Sequence, residues 1–206
     1  MSKDKHKDKD AQRMLDPLDT PISLIPGYIR DNQTTLVFHD KVIAAKEETF
    51  DVDEGETRVF RATGKPLKLK NIKRIADVNG ATLFKITASY QGTLQRAFTG
   101  SNEVGEMLFR AEKKWSWGAK LQVTFADSKT GDPVTLIVKG YGLMRTAEVT
   151  LDGQVIALFT REFWSKDLLS NSKTYHLTVA AGVDLALMTA LCIIFDECKF
   201  DDAKHG

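Results

Sequence analysis

Residues Val183 to Phe195 read VDLALMTALCIIF, and the fold follows from how that stretch is read. From Leu185 to Phe195 there is no charge, and Thr189 is the sole polar residue. The pattern neither alternates nor leaves a polar helical face, and a helix that is apolar all round must be surrounded by protein or by lipid. Crossing a bilayer takes about 20 apolar residues, whereas about 10–14 points to a buried core helix. Asp184 closes the run on one side, and Asp196 and Glu197 close it on the other. The stretch therefore predicts a central helix over about residues 182–196, packed through Leu187, Leu191 and Ile194, with the rest of the chain as its sheath. Asp184 belongs in the first helical turn, where a carboxylate meets free N–H groups and the favourable end of the macrodipole. Thr189 is expected to return its hydroxyl to a carbonyl one turn earlier.

The sheath is legible as strands. Phe84, Ile86, Ala88 and Tyr90 alternate with Lys85, Thr87 and Ser89, and Leu121, Val123 and Phe125 alternate with Gln122 and Thr124. Val134, Leu136 and Val138 follow the same period, as do Tyr175, Leu177 and Val179, which is the strand signature. Turn signals separate the runs at His39-Asp40, Glu54-Gly55, Asn79-Gly80, Gly131-Asp132 and Asp152-Gly153. Asn-Gly and Asp-Gly suit a type I′ hairpin, whose two central residues take φ > 0. About a dozen strands result, with no long amphipathic helix among them, which excludes parallel βαβ units. The architecture expected is a mainly β, closed antiparallel barrel whose lumen the apolar helix fills. Val155 to Phe159, VIALF, is apolar on both faces and calls for outside cover by a loop or by the lead-in.

With 206 residues, one large domain is expected over residues 21–198. Residues 1–20 read as a charged, disordered tail and lead-in, and 199–206 as a flexible tail. The lead-in is marked by Pro17, Pro21 and Pro26 and carries Ile22, Leu24 and Ile25. A net charge of +1 supplies no global field toward nucleic acid or membrane, so any such attraction must be local. MSKDKHKDKD lacks the apolar region of a signal peptide. Cys192 and Cys198 in one helix are separated by about 9 Å of rise, too far for a disulfide. Cytosol or nucleus is the compartment expected, with peripheral membrane attachment open, and a monomer is the expected state.

Two longer stretches resemble a known family. Phe50 to Leu83 runs FDVDEGETRVFRATGKPLKLKNIKRIADVNGATL, and Tyr175 to Glu197 carries Gly182-Val183-Asp184 before the apolar run. Both are similar to the LURP-one-related family, which shares the tubby C-terminal-like fold with tubby proteins and phospholipid scramblases. Leu108 to Val123 resembles the family's middle strands, and similarity spans roughly Ile22 to Glu197. The resemblance implies a twelve-stranded barrel around a central helix, and a kinship with tubby proteins that bind phosphoinositides.

Two patches suggest chemistry. Gly64 to Arg74, GKPLKLKNIKR, holds Lys65, Lys68, Lys70, Lys73 and Arg74 and no acid. In a strand, Lys68 and Lys70 share a face while Leu67 and Leu69 point to the core. Such a cluster suits a phosphoinositide headgroup or an anionic leaflet, and the plainer reading is a solvated strand face. Arg110 to Lys120 holds Lys113 and Lys114 beside Trp115 and Trp117, which suits a membrane interface or partner contact, or simply barrel filling. A calcium loop starting at Asp51 would have Glu56 where position six needs glycine, and no glutamate at position twelve. The four histidines have no zinc-ligand spacing, so no metal and no cofactor is expected. No nucleophile or nucleotide fingerprint appears, and a non-catalytic role is expected. The leading expectation is peripheral binding to anionic lipids, phosphoinositides above all, without nucleic acid. The alternatives are a protein-interaction scaffold with an unknown partner and, least favoured, lipid scrambling.

Overall fold

The computed structural model describes residues 13–44, 47–67, 71–91, 95–114, 120–141, 146–162 and 174–202. Among these, twelve strands follow one another: β1 (Thr34–Ala44), β2 (Glu47–Glu54), β3 (Thr57–Gly64), β4 (Ile72–Asp77), β5 (Thr82–Gln91) and β6 (Gln95–Ser101). Then come β7 (Met107–Lys114), β8 (Lys120–Ala126), β9 (Pro133–Tyr141), β10 (Thr146–Leu151), β11 (Gln154–Glu162) and β12 (Thr174–Val179). Each pairs antiparallel with the next, and β12 returns to β1, so the sheet closes without an edge. A single helix, α1 (Leu185–Asp202), follows.

A closed sheet wider than about eight strands is not filled by its own side chains. Here inward rings from Phe38, Phe60, Phe84, Phe98 and Phe109 meet α1 in one continuous core. Leu187, Leu191 and Ile194 are wholly buried, as the sequence predicts. Gly100 lies opposite Phe109, and a Cβ there would run into the Phe109 ring. That ring stacks edge-on against Phe84 at 5.4 Å between centroids.

The helix bounds differ from the expected 182–196. α1 starts at Leu185 and continues to Asp202, because Asp196 and Glu197 end the apolar run without ending the helix. Both carboxylates find partners at the barrel rim. Backbone order thus extends past residue 198 at one end, and buried Leu15 extends the domain below residue 21 at the other.

Asp184 stands one residue ahead of α1, as its N-cap rather than within the first turn. Its Oδ1 accepts the Leu187 N–H at 3.0 Å, and Oδ2 accepts those of Leu24 and Ile25, each at 2.8 Å. Burial pushes this carboxyl up, against the backbone donors that favour its charge. One side chain therefore caps the helix and pins the lead-in across it. Nearby, Ile22 bridges Val183 in parallel, and Ser23 N–H donates to Asp127 Oδ2 at 2.8 Å.

The lead-in also covers VIALF. Leu158 pairs with Thr178, which pairs with exposed Thr35, so Leu158 faces outward, yet it is buried along with Ile156. Over this face Gln154 donates to the Asp16 carbonyl and Arg13 pairs with Glu148. Three expectations are corrected. His39-Asp40 lies inside β1, where ladders on both edges outweigh turn propensity. Type I′ geometry appears at Asp152-Gly153, with φ of 49° and 89°, whereas at Asn79-Gly80 only the glycine is left-handed. There Asp77 Oδ1 accepts the N–H of Asn79 and Ala81 and shapes a wider turn. Finally, Thr189 makes no back-bond: its buried hydroxyl has no hydrogen-bond partner among the described residues, being sheathed in hydrocarbon. Cys192 and Cys198 are both buried.

Candidate functional site

Of the basic stretch from Lys65 to Arg74, the described residues Lys65, Lys73 and Arg74 do not share one face. β3 ends at Gly64 and β4 starts at Ile72, so Lys65 follows one strand while Lys73 and Arg74 lie on the next. Gly64, at φ 144°, allows the close return: a Cβ there would strike the Ile72 carbonyl and lie 2.9 Å from the Lys73 Cα. Lys65 is exposed, and Leu67 is buried as expected. Lys68 and Lys70 lie outside the described residues. Arg74 points outward near Glu103.

Lys73 overturns its expected role as an outer lipid contact. It shares the inward face with Ile75 and is wholly buried. Its Nζ lies 2.7 Å from Glu48 Oε2 and 2.6 Å from Glu197 Oε1, and 5.0 Å from the centre of the Phe50 ring. Burial pushes the Glu197 carboxyl up, opposed chiefly by Lys73. Around it, Arg96 Nη1 donates to the Glu197 carbonyl, and Tyr175 O–H donates to Asp196 Oδ1 at 3.0 Å. The late turns of α1 are thereby tied to β2, β4, β6 and β12. A desolvated lysine committed to two carboxylates holds a helix in register; it offers nothing to a membrane. The sequence signal was the i, i+2 spacing of Lys73 and Ile75, read with Glu197 at the end of the apolar run.

Outside the barrel the register assembles a different basic group. Lys114 on β7 stands opposite Lys120 on β8, and Lys120 stands opposite Lys139 on β9. Like charges directly opposite repel, a cost that Glu112 beside Lys114 and Glu148 opposite Lys139 offset in part. Lys114 reaches Glu112 at 2.8 Å, while Lys120 has no ion pair among the described residues. Lys139 Nζ lies 5.2 Å from the centre of the Tyr141 ring, which is 43% exposed. Lys113, paired with Leu121, falls on the other face of β7 from Lys114; Trp115 and Trp117 lie outside the described residues. The row was missed in sequence because its members come from three strands.

Charge is sorted between the barrel's ends. The row and Lys65 lie at the end where α1 terminates, together with exposed Ile72 and Tyr90. The opposite end, with the tight hairpins, exposes Asp31, Glu56, Glu106, Asp132 and Asp152. Among the described residues one end is thus richer in basic side chains and the other in exposed carboxylates, although Lys129 is exposed at the acidic end and Glu48 and Glu112 lie toward the basic one.

No curated protein matches the chain. An Arabidopsis thaliana protein of known X-ray structure is 16% identical, aligned over 86% of this chain and 98% of its own, with a TM-score of 0.40. The LURP-one-related family model matches residues 34–196, from the first strand into the central helix, and the chain belongs to that family.

Proposed function

We propose that the protein is a non-catalytic barrel that docks on anionic membrane lipids, phosphoinositides included, through its basic end. The observation that carries this reading is the outward row Lys114–Lys120–Lys139 beside half-exposed Tyr141. Each basic residue near an anionic leaflet is worth about 1 kcal/mol, and tyrosine favours the headgroup level. Cytosolic residence with reversible membrane attachment follows from the same reading.

The test is co-sedimentation with liposomes, with and without phosphoinositide, at two salt concentrations. Salt-sensitive pelleting is expected for the native protein, with loss in the Lys120→Glu/Lys139→Glu variant. No pelleting at low salt, or unchanged pelleting of the variant, ends the proposal.

A scaffold role has its own support at the other end. Val78 and Val104, on neighbouring hairpin connections, and Met107, at the start of β7, are 60%, 81% and 63% exposed. A protein partner seated there would be lost in Val104→Asp/Met107→Asp and would survive detergent. Scrambling by a departing helix has the least support. It would break the Lys73 and Asp184 anchors, and no described helix is long and apolar enough to cross a membrane.

A further inference from the structure

We propose that a cavity on the outer wall, next to the lysine row, receives the headgroup of phosphatidylserine, with Glu148 holding its ammonium between Arg13 and Lys139. This rests on the membrane reading above and names the lipid. The cavity measures about 410 Å³, within the range of small-molecule sites. Thr146, Thr160 and Leu158 line it with Arg13, Glu148 and Tyr141.

The order of charges selects the ligand. Glu148 on β10 stands directly opposite Lys139 on β9, and Arg13 Nη1 approaches Glu148 Oε1 to 2.8 Å from the lead-in. Cation, anion and cation therefore follow one another across the wall. The serine headgroup presents the complementary order, with its ammonium between a phosphate and a carboxylate. A glycerol or inositol headgroup has no cation for Glu148 and would set an anion against it. The side chains of Arg13 and Glu148 are 48% and 25% exposed, and an ion pair so open to water is exchanged for ligand contacts at small cost. Thr146 and Thr160 line the cavity with hydroxyls, which can donate to phosphate oxygens. Tyr141 stands at the lip, where an interfacial ring belongs.

The experiment compares vesicles of phosphatidylserine and phosphatidylglycerol at equal charge density, using the native chain and Glu148→Gln. A partly exposed ammonium–carboxylate contact predicts about a two- to fivefold preference for phosphatidylserine. Glu148→Gln should erase that preference while still binding both vesicles. Equal binding by the native protein, or a preference that survives the substitution, overturns the assignment. If neither vesicle binds, the membrane reading fails by itself, and glycerophosphoserine titrated by NMR then judges the cavity. Shifts at the Thr146 and Thr160 amides, absent with glycerophosphoglycerol, support it, and no shifts overturn it. A phosphoserine peptide, whose nitrogen is an uncharged amide, should leave those amides unmoved; equal shifts would reassign the cavity to phosphopeptides.

Discussion

Lys73 Nζ lies 2.6 Å from Glu197 Oε1, so a wall strand and the enclosed helix share one buried ion pair. Removing one partner of such a pair strands the other charge, which costs about 3–5 kcal/mol. Lys73→Met should therefore destabilise by that amount in urea unfolding. Lys73→Met/Glu197→Gln should recover much of the loss, because the more buried of the two stranded carboxylates is gone and Glu48, with its side chain 32% exposed, can be hydrated. A double variant as unstable as the sum of the singles would show the two side chains to be uncoupled.

Asp184 joins three backbone donors from two segments. Loss of an ordinary N-cap costs about 1 kcal/mol. Asp184→Ala also leaves the Leu24 and Ile25 amides without their acceptor, at about 1–3 kcal/mol per unsatisfied group. A loss of about 3 kcal/mol or more is expected, with faster hydrogen exchange at Leu24 and Ile25. A cost near 1 kcal/mol with unchanged exchange would reduce Asp184 to a simple cap.

Asp127 gives the acid limb a defined contributor. Burial pushes its carboxyl up, but N–H donors from Ser23, Lys129 and Thr130 outweigh burial and hold it below the ordinary value. A depressed folded pKa adds stability above the unfolded value of about 3.9, and that stability is lost as pH falls through the lower folded value. Asp127→Asn should be less stable than the native chain at neutral pH and should lose less on acidification below about pH 4. Parallel acid curves for the two proteins would remove Asp127 from the account.

Thr189 presents the opposite case, a buried hydroxyl without a partner. Thr189→Val keeps the shape and deletes the unsatisfied group. The variant should be as stable as the native chain or gain about 1 kcal/mol. A clear loss in thermal unfolding would mean that the hydroxyl is bonded in solution.

The barrel was legible because its signals are local. Period-two runs such as Leu121, Val123 and Phe125 face inward as read, and the apolar run at Leu185 to Phe195 fills the lumen. The local signals failed where two ladders compete with a turn, as at His39-Asp40, and where a charge is neutralised from afar, as at Lys73. Among the described residues of the basic stretch, Lys65, Lys73 and Arg74 share no surface. The row of Lys114, Lys120 and Lys139 left no mark in sequence.

Composition and periodicity alone thus determined an antiparallel barrel around an apolar helix, since apolar spacing reports which side of each strand avoids water. Which lysines share a surface was decided only by tertiary structure. Pairing register sets which residues of neighbouring strands stand side by side, and a shift of one residue turns a side chain from wall to core. In β4 that alternation buries Lys73 against Glu197; across β7, β8 and β9 it brings three lysines into one row.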